Sequence, residues 1–274
     1  MQRGFLCPDR RKRKNDQDDG IMKLKIPVLL LVLLLQWLAV SCTSTPWHRE
    51  QADLYLKKGM SLIEAGQYIG ALKELMEADK NAPNDPTINY YLGVAYHGRG
   101  LRDLAMERFQ KAVDLKSDYS EAHNYIGAIY MDMGQWEKAV ASFDRALKNY
   151  LYATPALALY NSGWAYYNLQ NYDVALSRYQ QALQQDRMGV LQAQIEKNIG
   201  LIYIKKSNLV QARQHLEKSV TLDPEIYDAH FFLGETYLKI RDTANARKSF
   251  TQVIKLAPQS PFAQKSREYL QLLP

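Results

Sequence analysis

Cysteine is scarce in this chain, which contains only Cys7 and Cys42 among its 274 residues. Cys7 lies in a charged leader, and Cys42 directly follows an apolar segment near the front of the chain. No disulfide is therefore expected within the folded domain, because a disulfide needs two cysteines there. The packing of hydrophobic side chains must supply its stability.

Motifs that carry chemistry are also missing from the sequence. It contains no His-Glu-x-x-His or paired-cysteine spacing and no glycine-rich phosphate loop. His97, His123, His215 and His230 lie in separate parts of the chain, and the acidic residues are spread along it instead of forming an acid–base pair. We therefore expect no enzyme, no metal or other cofactor, and no small-molecule substrate.

Excess positive charge is confined to the front of the chain. The net charge is +6, but residues 1–41 hold eight Lys or Arg against four Asp, which leaves 27 basic and 25 acidic residues in the remainder. A domain so close to neutrality lacks the electrostatic footprint that nucleic-acid binding requires. Nucleic acid is therefore not an expected partner.

Glycine and alanine, in contrast, recur at regular intervals. The glycines are Gly59, Gly93, Gly127, Gly163, Gly200 and Gly234, and the alanines twelve residues later are Ala71, Ala105, Ala139, Ala175, Ala212 and Ala246. Successive glycines are 34, 34, 36, 37 and 34 residues apart. A period of about 34 is that of the tetratricopeptide repeat, a helix–turn–helix unit. Over residues 52–260 the sequence resembles six such repeats.

Other positions of the repeat carry matching signals. If the glycine is position 8, position 24 always holds a large side chain: Leu75, Phe109, Phe143, Tyr179, Leu216 or Phe250. Gly66, Gly100 and Gly134 are placed to end first helices, and Pro83, Pro224 and Pro258 to stop second helices. The sequence therefore predicts an all-α, right-handed α-solenoid, whose long surface is suited to holding another chain.

Departures from the period fall between repeats or at the end. The connections containing 149–155 and 184–192 are longer than the others. We predict that Thr154 and Ser260 are N-cap residues and that Pro155 and Pro261 are the first residues of the helices that follow. Residues 261–274 are therefore predicted to form a C-terminal capping helix.

The front of the chain reads as an export signal. Lys23 and Lys25 precede an apolar run over 26–40, which is typical of a secretory signal peptide. The sequence Leu38-Ala39-Val40-Ser41-Cys42 resembles a bacterial lipobox, and this resemblance implies cleavage before Cys42 and attachment of diacylglycerol to its thiol. An uncleaved membrane anchor is the alternative, but about 15 apolar residues are fewer than the roughly 20 that a span needs.

The segments around the signal peptide are interpreted as follows. Residues 1–41 form the leader, and the true start is predicted at Met22, because the charge run before it fits a solvated segment or an over-extended gene model better than a nucleic-acid tail. Residues 42–51 are predicted to be a tether. Thr43 follows the cysteine where an aspartate would mark retention at the inner membrane, so the lipobox resemblance implies a periplasm-facing lipoprotein in the outer membrane of a Gram-negative bacterium.

The partner-binding surface can be placed by helical geometry. Positions 2, 5, 9 and 12 of each first helix form one stripe, which lines the concave groove in tetratricopeptide arrays. We predict that the groove residues are Tyr90, Asn124, Met131, Tyr160, Trp164, Tyr167, Lys197 and Phe231. Packing of positions 9 and 12 against adjacent helices is the alternative. Only Asn124 and Lys197 could grip a carboxylate, so an apolar or amphipathic protein segment is the favoured ligand.

The combination of these features resembles one family. A lipobox, six repeats and a long third connection with Leu151-Tyr152 and Pro155 before Leu159-Tyr160-Asn161-Ser162-Gly163 resemble the PilF/PilW pilotin lipoproteins of type IV pili. This resemblance implies a protein that binds secretin subunits and promotes their assembly at the outer membrane. The alternatives are a periplasmic adaptor for peptidoglycan hydrolases and a protease, similar to NlpI, and an inner-membrane-tethered assembly factor for another envelope machine.

Overall fold

A computed structural model describes residues 46–273, which form thirteen α-helices and no strand. The helices are α1 (Pro46–Glu64), α2 (Tyr68–Asn81), α3 (Pro86–Gly98), α4 (Arg102–Leu115), α5 (Ser120–Asp132), α6 (Trp136–Ala146), α7 (Pro155–Asn168), α8 (Tyr172–Gln185), α9 (Gln192–Lys205), α10 (Leu209–Leu222), α11 (Tyr227–Lys239), α12 (Thr243–Leu256) and α13 (Pro261–Leu272). Six helix pairs follow one another, with α13 at the end. The predicted all-α solenoid of six repeats with a capping helix is confirmed.

The curvature of the array follows from which helices touch. Each helix packs mainly on its neighbours in sequence, and first helices of successive repeats also contact each other, as α5 and α7 do. No comparable contact joins successive second helices in residues 46–273. The array therefore curves towards its first helices, whose stripe lies on the inner face.

The recurrent glycine is explained by the packing within each pair. A Cβ atom added to Gly127 would lie 2.5 Å from Cε1 of Phe143, and each of the other five repeat glycines faces the position-24 side chain of its own pair in the same way. These position-24 side chains are fully buried. The glycine thus lets a large side chain of the second helix rest on the backbone of the first.

The turn within each pair requires a left-handed backbone. In the first three repeats Gly66, Gly100 and Gly134 supply it with φ of 69°, 73° and 68°. Gln170, Ser207 and Arg241 adopt φ of 60°, 56° and 64° at the equivalent turns of the last three repeats. Only glycine takes this conformation without steric strain, so these three residues destabilise the native turn.

Replacing Ser207 by glycine should therefore stabilise the array. We expect the free energy of unfolding to rise by about 0.5–1 kcal/mol, because the relieved strain exceeds the entropy that glycine adds to the unfolded chain. The reciprocal change Gly100→Ser is the matched control, since nothing lies within 4 Å of the added Cβ and only backbone strain is introduced. Thermal unfolding should move in opposite directions for the two variants. A lower midpoint for Ser207→Gly would contradict this account.

The capping helix closes the array with apolar side chains. Ala263 is buried, and Phe262, Tyr269, Leu270 and Leu273 pack against the core beneath them. The Ser260 Oγ accepts a hydrogen bond from the amide of Ala263, which confirms the predicted N-cap. Thr154 likewise occupies the N-cap position before Pro155, the first residue of α7, as predicted, but its side chain makes no capping hydrogen bond.

The front of the chain differs in part from the expected tether. Helix α1 begins at Pro46, so residues 46–51 of the predicted tether are helical. The leader, the lipobox and Cys42 lie outside the described residues. Within residues 46–273, no helix is both long and apolar enough to cross a membrane.

Candidate functional site

The first-helix stripe has two stacked aromatic side chains on α7. The rings of Trp164 and Tyr167 stack with centroids 5.1 Å apart and planes 10° from parallel. Both side chains are half-buried, and the amide of Asn168 donates to the carbonyl oxygen of Trp164. Tyr167 also contacts Tyr172, and burial raises the pKa of its phenol. We call Trp164 and Tyr167 the aromatic pair.

Tyr160 lies on the same helix but belongs more to the core. Its ring is 5.9 Å from that of the fully buried Tyr179, and it packs, as Tyr167 also does, on the cluster between the fourth and fifth repeats. Met131 of α5 is likewise half-buried and packs on the core that contains Phe143. Both residues retain some exposure and also contribute to packing.

Tyr90 is part of a second aromatic group, on the second and third repeats. Its ring lies 5.0 Å from the rings of Tyr91 and Tyr119 and 5.9 Å from those of Phe109 and Tyr125. Burial is the main cause that raises the pKa of the Tyr90 phenol. This position is half-buried and its ring is held on several sides, so it offers less free surface than the aromatic pair.

The two polar residues predicted for the stripe already have partners. Lys197 Nζ lies 2.8 Å from Asp228 Oδ2, and this ion pair joins the fifth and sixth repeats. Asn124 is buried, and its Oδ1 is 3.5 Å from the amide of Asn161 on the next first helix. Both side chains are therefore engaged in contacts between repeats.

The prediction that Phe231 lines an open groove is wrong. Its side chain is 3% exposed and packs against Phe250, Phe262 and Tyr269. Phe262 and Tyr269 belong to α13, which takes the place of a further repeat. The capping helix therefore covers this end of the stripe, and the usable surface is centred on α7.

Two histidines beside the core have a structural role. His123 Nε2 lies 2.9 Å from the carbonyl oxygen of Ser117, and His230 Nε2 lies 3.0 Å from that of Pro224. In each case the ring is bonded to the connection that precedes its helix, and burial lowers its pKa. Residues 46–273 contain no cluster of His, Cys, Asp or Glu that could hold a metal ion.

The sequence reasoning did not single out Glu196, which is the main buried charge of the array. Its side chain is 2% exposed, with Oε2 2.6 Å from His215 Nδ1 and Oε1 2.6 Å from Lys218 Nζ. Burial alone would raise the pKa of this carboxyl, but the hydrogen bonds from His215 and Lys218 outweigh it and lower the pKa. The sequence contains one sign of this buried charge. Position 4 of the fifth repeat holds Glu196, whereas the fourth repeat has Leu159 there.

Family comparison agrees with this architecture. Models of the tetratricopeptide repeat match residues 56–120, 118–188 and 197–261. Together these matches extend over most of the chain and over every helix pair. The chain belongs to the tetratricopeptide-repeat family, whose arrays are protein-interaction scaffolds.

Several solved structures are similar to this array in overall fold. PilF of Pseudomonas aeruginosa is similar with a TM-score of 0.71 and 19% identity, over 81% of this chain and 99% of that one. PilW, a widely conserved type IV pilus biogenesis factor, gives 0.69 and 19%, over 78% and 97%. A chain of the APC/C hetero-tetramer Cut9–Hcn1 gives 0.70 and 17%, over 81% of this chain but 43% of its own length. These likenesses show the fold, and it is shared by proteins of different cellular roles.

Proposed function

We propose that this chain is an outer-membrane lipoprotein that binds a type IV pilus secretin subunit in its groove and promotes secretin assembly. The fold supports this role, because the array has the size and shape of PilF and PilW over nearly their whole length. The lipobox-like sequence that ends at Cys42 supplies the anchor. Several acyl chains on that cysteine would hold the protein on the membrane almost permanently.

The aromatic pair is the main observation in favour of a binding site on α7. Trp164 and Tyr167 stack on each other on the inner face, and Trp164 is not among the side chains packed into the buried clusters of residues 46–273. Partly exposed aromatic rings with polar handles are typical anchors of protein interfaces. An apolar or amphipathic segment of the secretin subunit would cover them and the neighbouring Leu157, which is 39% exposed.

Replacing Trp164 by alanine should weaken partner binding without unfolding the array. We expect a loss of about 2 kcal/mol, or roughly thirtyfold in Kd for the secretin subunit, which is the usual effect of truncating an aromatic anchor. Titration calorimetry with the purified subunit measures the change, and circular dichroism reports the thermal midpoint. Leu104→Ala is the control, because Leu104 is exposed on the second helix α4, away from the inner face.

The outcomes separate binding from stability. Unchanged affinity for Trp164→Ala, or a collapse of its thermal midpoint, would remove the aromatic pair as the binding site. The cellular role is tested by deleting the gene, after which heat-stable secretin multimers should disappear from the outer membrane while monomers persist. Multimers that remain unchanged would exclude the pilotin role and favour an adaptor for cell-wall enzymes.

A further inference from the structure

One edge of the array carries apolar side chains that the groove does not use. Because the helices alternate in direction, every connection between repeats lies on the same edge, which we call the connection edge; it comprises residues 82–85, 116–119, 147–154, 186–191, 223–226 and 257–260. The two longest connections each expose two apolar residues. Tyr150 and Leu151 are exposed by 102% and 90%, and Met188 and Val190 by 87% and 68%.

The first of these connections is held in a defined shape. Asn149 Oδ1 accepts from the amide of Leu151 at 2.9 Å, and its Nδ2 donates to the carbonyl oxygen of Asp118 at 3.1 Å. Tyr152 is buried next to Phe143. The loop is thus fixed at both ends, and Tyr150 and Leu151 are presented to the outside while the next tyrosine anchors the loop.

The second connection is fixed by a different device. The Asp186 carboxylate accepts from the amides of Val190 and Leu191 at 3.2 Å and 2.7 Å. Gly189 provides the left-handed backbone for this turn, with φ of 72°. The carboxylate is therefore engaged with the backbone, and the turn directs Met188 and Val190 outwards.

A basic residue accompanies each exposed pair. Lys148 stands two residues before Tyr150, and Arg187 directly precedes Met188; both are exposed. Apolar tips next to lysine or arginine match the interfacial region of a bilayer with anionic lipids, where side chains enter the acyl boundary and cations meet phosphates. A shallow pocket of about 700 Å³ next to Tyr150 and Leu151 is lined by Arg145 and Lys148 and also by Asp114 and Asp118, so its formal charges balance.

The front of the described chain reaches the same edge. In the first turn of α1, His48 Nδ1 lies 3.1 Å from Asn81 Oδ1 at the end of α2, and Arg49 Nη1 lies 2.9 Å from Asp85 Oδ2 in the first connection. Cys42 is only four residues before Pro46, a distance that extended chain spans in at most about 14 Å. A lipid on Cys42 therefore brings the membrane to the connection edge, where the first turn of α1 also carries Trp47, 64% exposed.

We propose that the connection edge rests on a bilayer that contains anionic phospholipid, with Tyr150, Leu151, Met188 and Val190 inserted at the headgroup boundary and Lys148 and Arg187 at lipid phosphates. This proposal rests on the lipid anchor of the proposed function. It sets the orientation of the anchored array, because the inner face with the aromatic pair then opens sideways along the membrane towards proteins embedded in it.

Single-tryptophan spectroscopy tests the contact. Residues 42–274 contain Cys42 as their only cysteine, so it can be coupled to a maleimide phospholipid in vesicles, which makes the test independent of lipidation in cells. Trp47, Trp136 and Trp164 are replaced by phenylalanine, and one tryptophan is introduced as Tyr150→Trp or Met188→Trp. Met133→Trp is the matched control, because Met133 is 47% exposed on the opposite edge, where first helices end.

On vesicles with phosphatidylglycerol, tryptophans at 150 and 188 should emit at shorter wavelength and be quenched roughly twofold by brominated lipid, as expected for side chains about 5–10 Å into the boundary. The control should keep its aqueous spectrum. Lys148→Glu with Arg187→Glu should abolish the shift. Equal spectra at all three positions would overturn the proposal. A shift at 150 and 188 that appears without lipid, on addition of secretin subunit or at high protein concentration, would overturn it as well. Secretin binding by the aromatic pair is measured in solution, so the two proposals fail separately.

Discussion

Removing both side chains that bond to Glu196 is expected to lower the free energy of unfolding by about 3–5 kcal/mol, the usual cost of leaving a buried charge without partners. In the native protein its carboxylate is 2% exposed and has 2.6 Å contacts to His215 and Lys218, and His215→Ala/Lys218→Ala removes both contacts. Chemical denaturation at pH 7 measures the loss. It should exceed the effect of either single variant, since one remaining partner still bonds to the carboxylate.

The dependence of stability on pH should differ between the native protein and the double variant. In the native protein the pKa of Glu196 is lowered, so its stabilising effect is present above the unfolded pKa and is lost as the pH falls through the folded one. In the double variant, burial without a partner raises the folded pKa, so stability should instead decrease as the pH rises through it. The signature to look for is therefore a loss of stability with rising pH above the unfolded pKa in the double variant, in a range where Glu196 gives the native protein no slope.

A third substitution serves as the control for Glu196. Glu196→Leu gives the fifth repeat a leucine at position 4, the same residue type that the fourth repeat has there as Leu159. In the background of His215→Ala/Lys218→Ala it removes the uncompensated charge and should recover most of the lost stability. If the leucine variant were as unstable as the double variant, the loss would come from the packing of His215, whose ring stacks on Tyr203, and not from charge.

Introducing a methyl group at Gly127 should have the second large effect. Gly127→Ala places a Cβ within 2.5–2.8 Å of three atoms of the Phe143 ring, which is fully buried. Overpacking of this kind costs about 1–3 kcal/mol, although alanine is intrinsically the better helix former by about 1 kcal/mol. The midpoint of thermal or denaturant unfolding reports the change.

A double-mutant cycle isolates the contact between Gly127 and Phe143. Phe143→Ala alone should cost about 3–5 kcal/mol through the cavity it leaves. In that background Gly127→Ala no longer meets a ring, so it should become neutral or stabilising. A destabilisation of the same size in both backgrounds would mean that the glycine is required for another reason.

Fewer of the predicted groove residues are available for binding than the sequence indicates. The sequence predicts one stripe along the first helices, and within it the structure stacks Trp164 on Tyr167. The predicted members at its ends were not equally available, because Phe231 is covered by α13 and Lys197 is paired with Asp228. These contacts join residues about one repeat apart, and a pattern within one helix contains no information on them.

The sequence by itself determined the number of repeats, the helix-ending glycines and prolines, and the small residue beneath each position-24 side chain. These features depend on backbone conformation and on contacts within one helix pair, and every copy repeats them. Only the tertiary structure decided that Glu196 is buried between His215 and Lys218, that Tyr152 is buried while Tyr150 and Leu151 are exposed, and which aromatic rings remain open. The physical reason is that exposure depends on the neighbouring repeat, connection or cap, whose side chains differ from copy to copy although the backbone period does not.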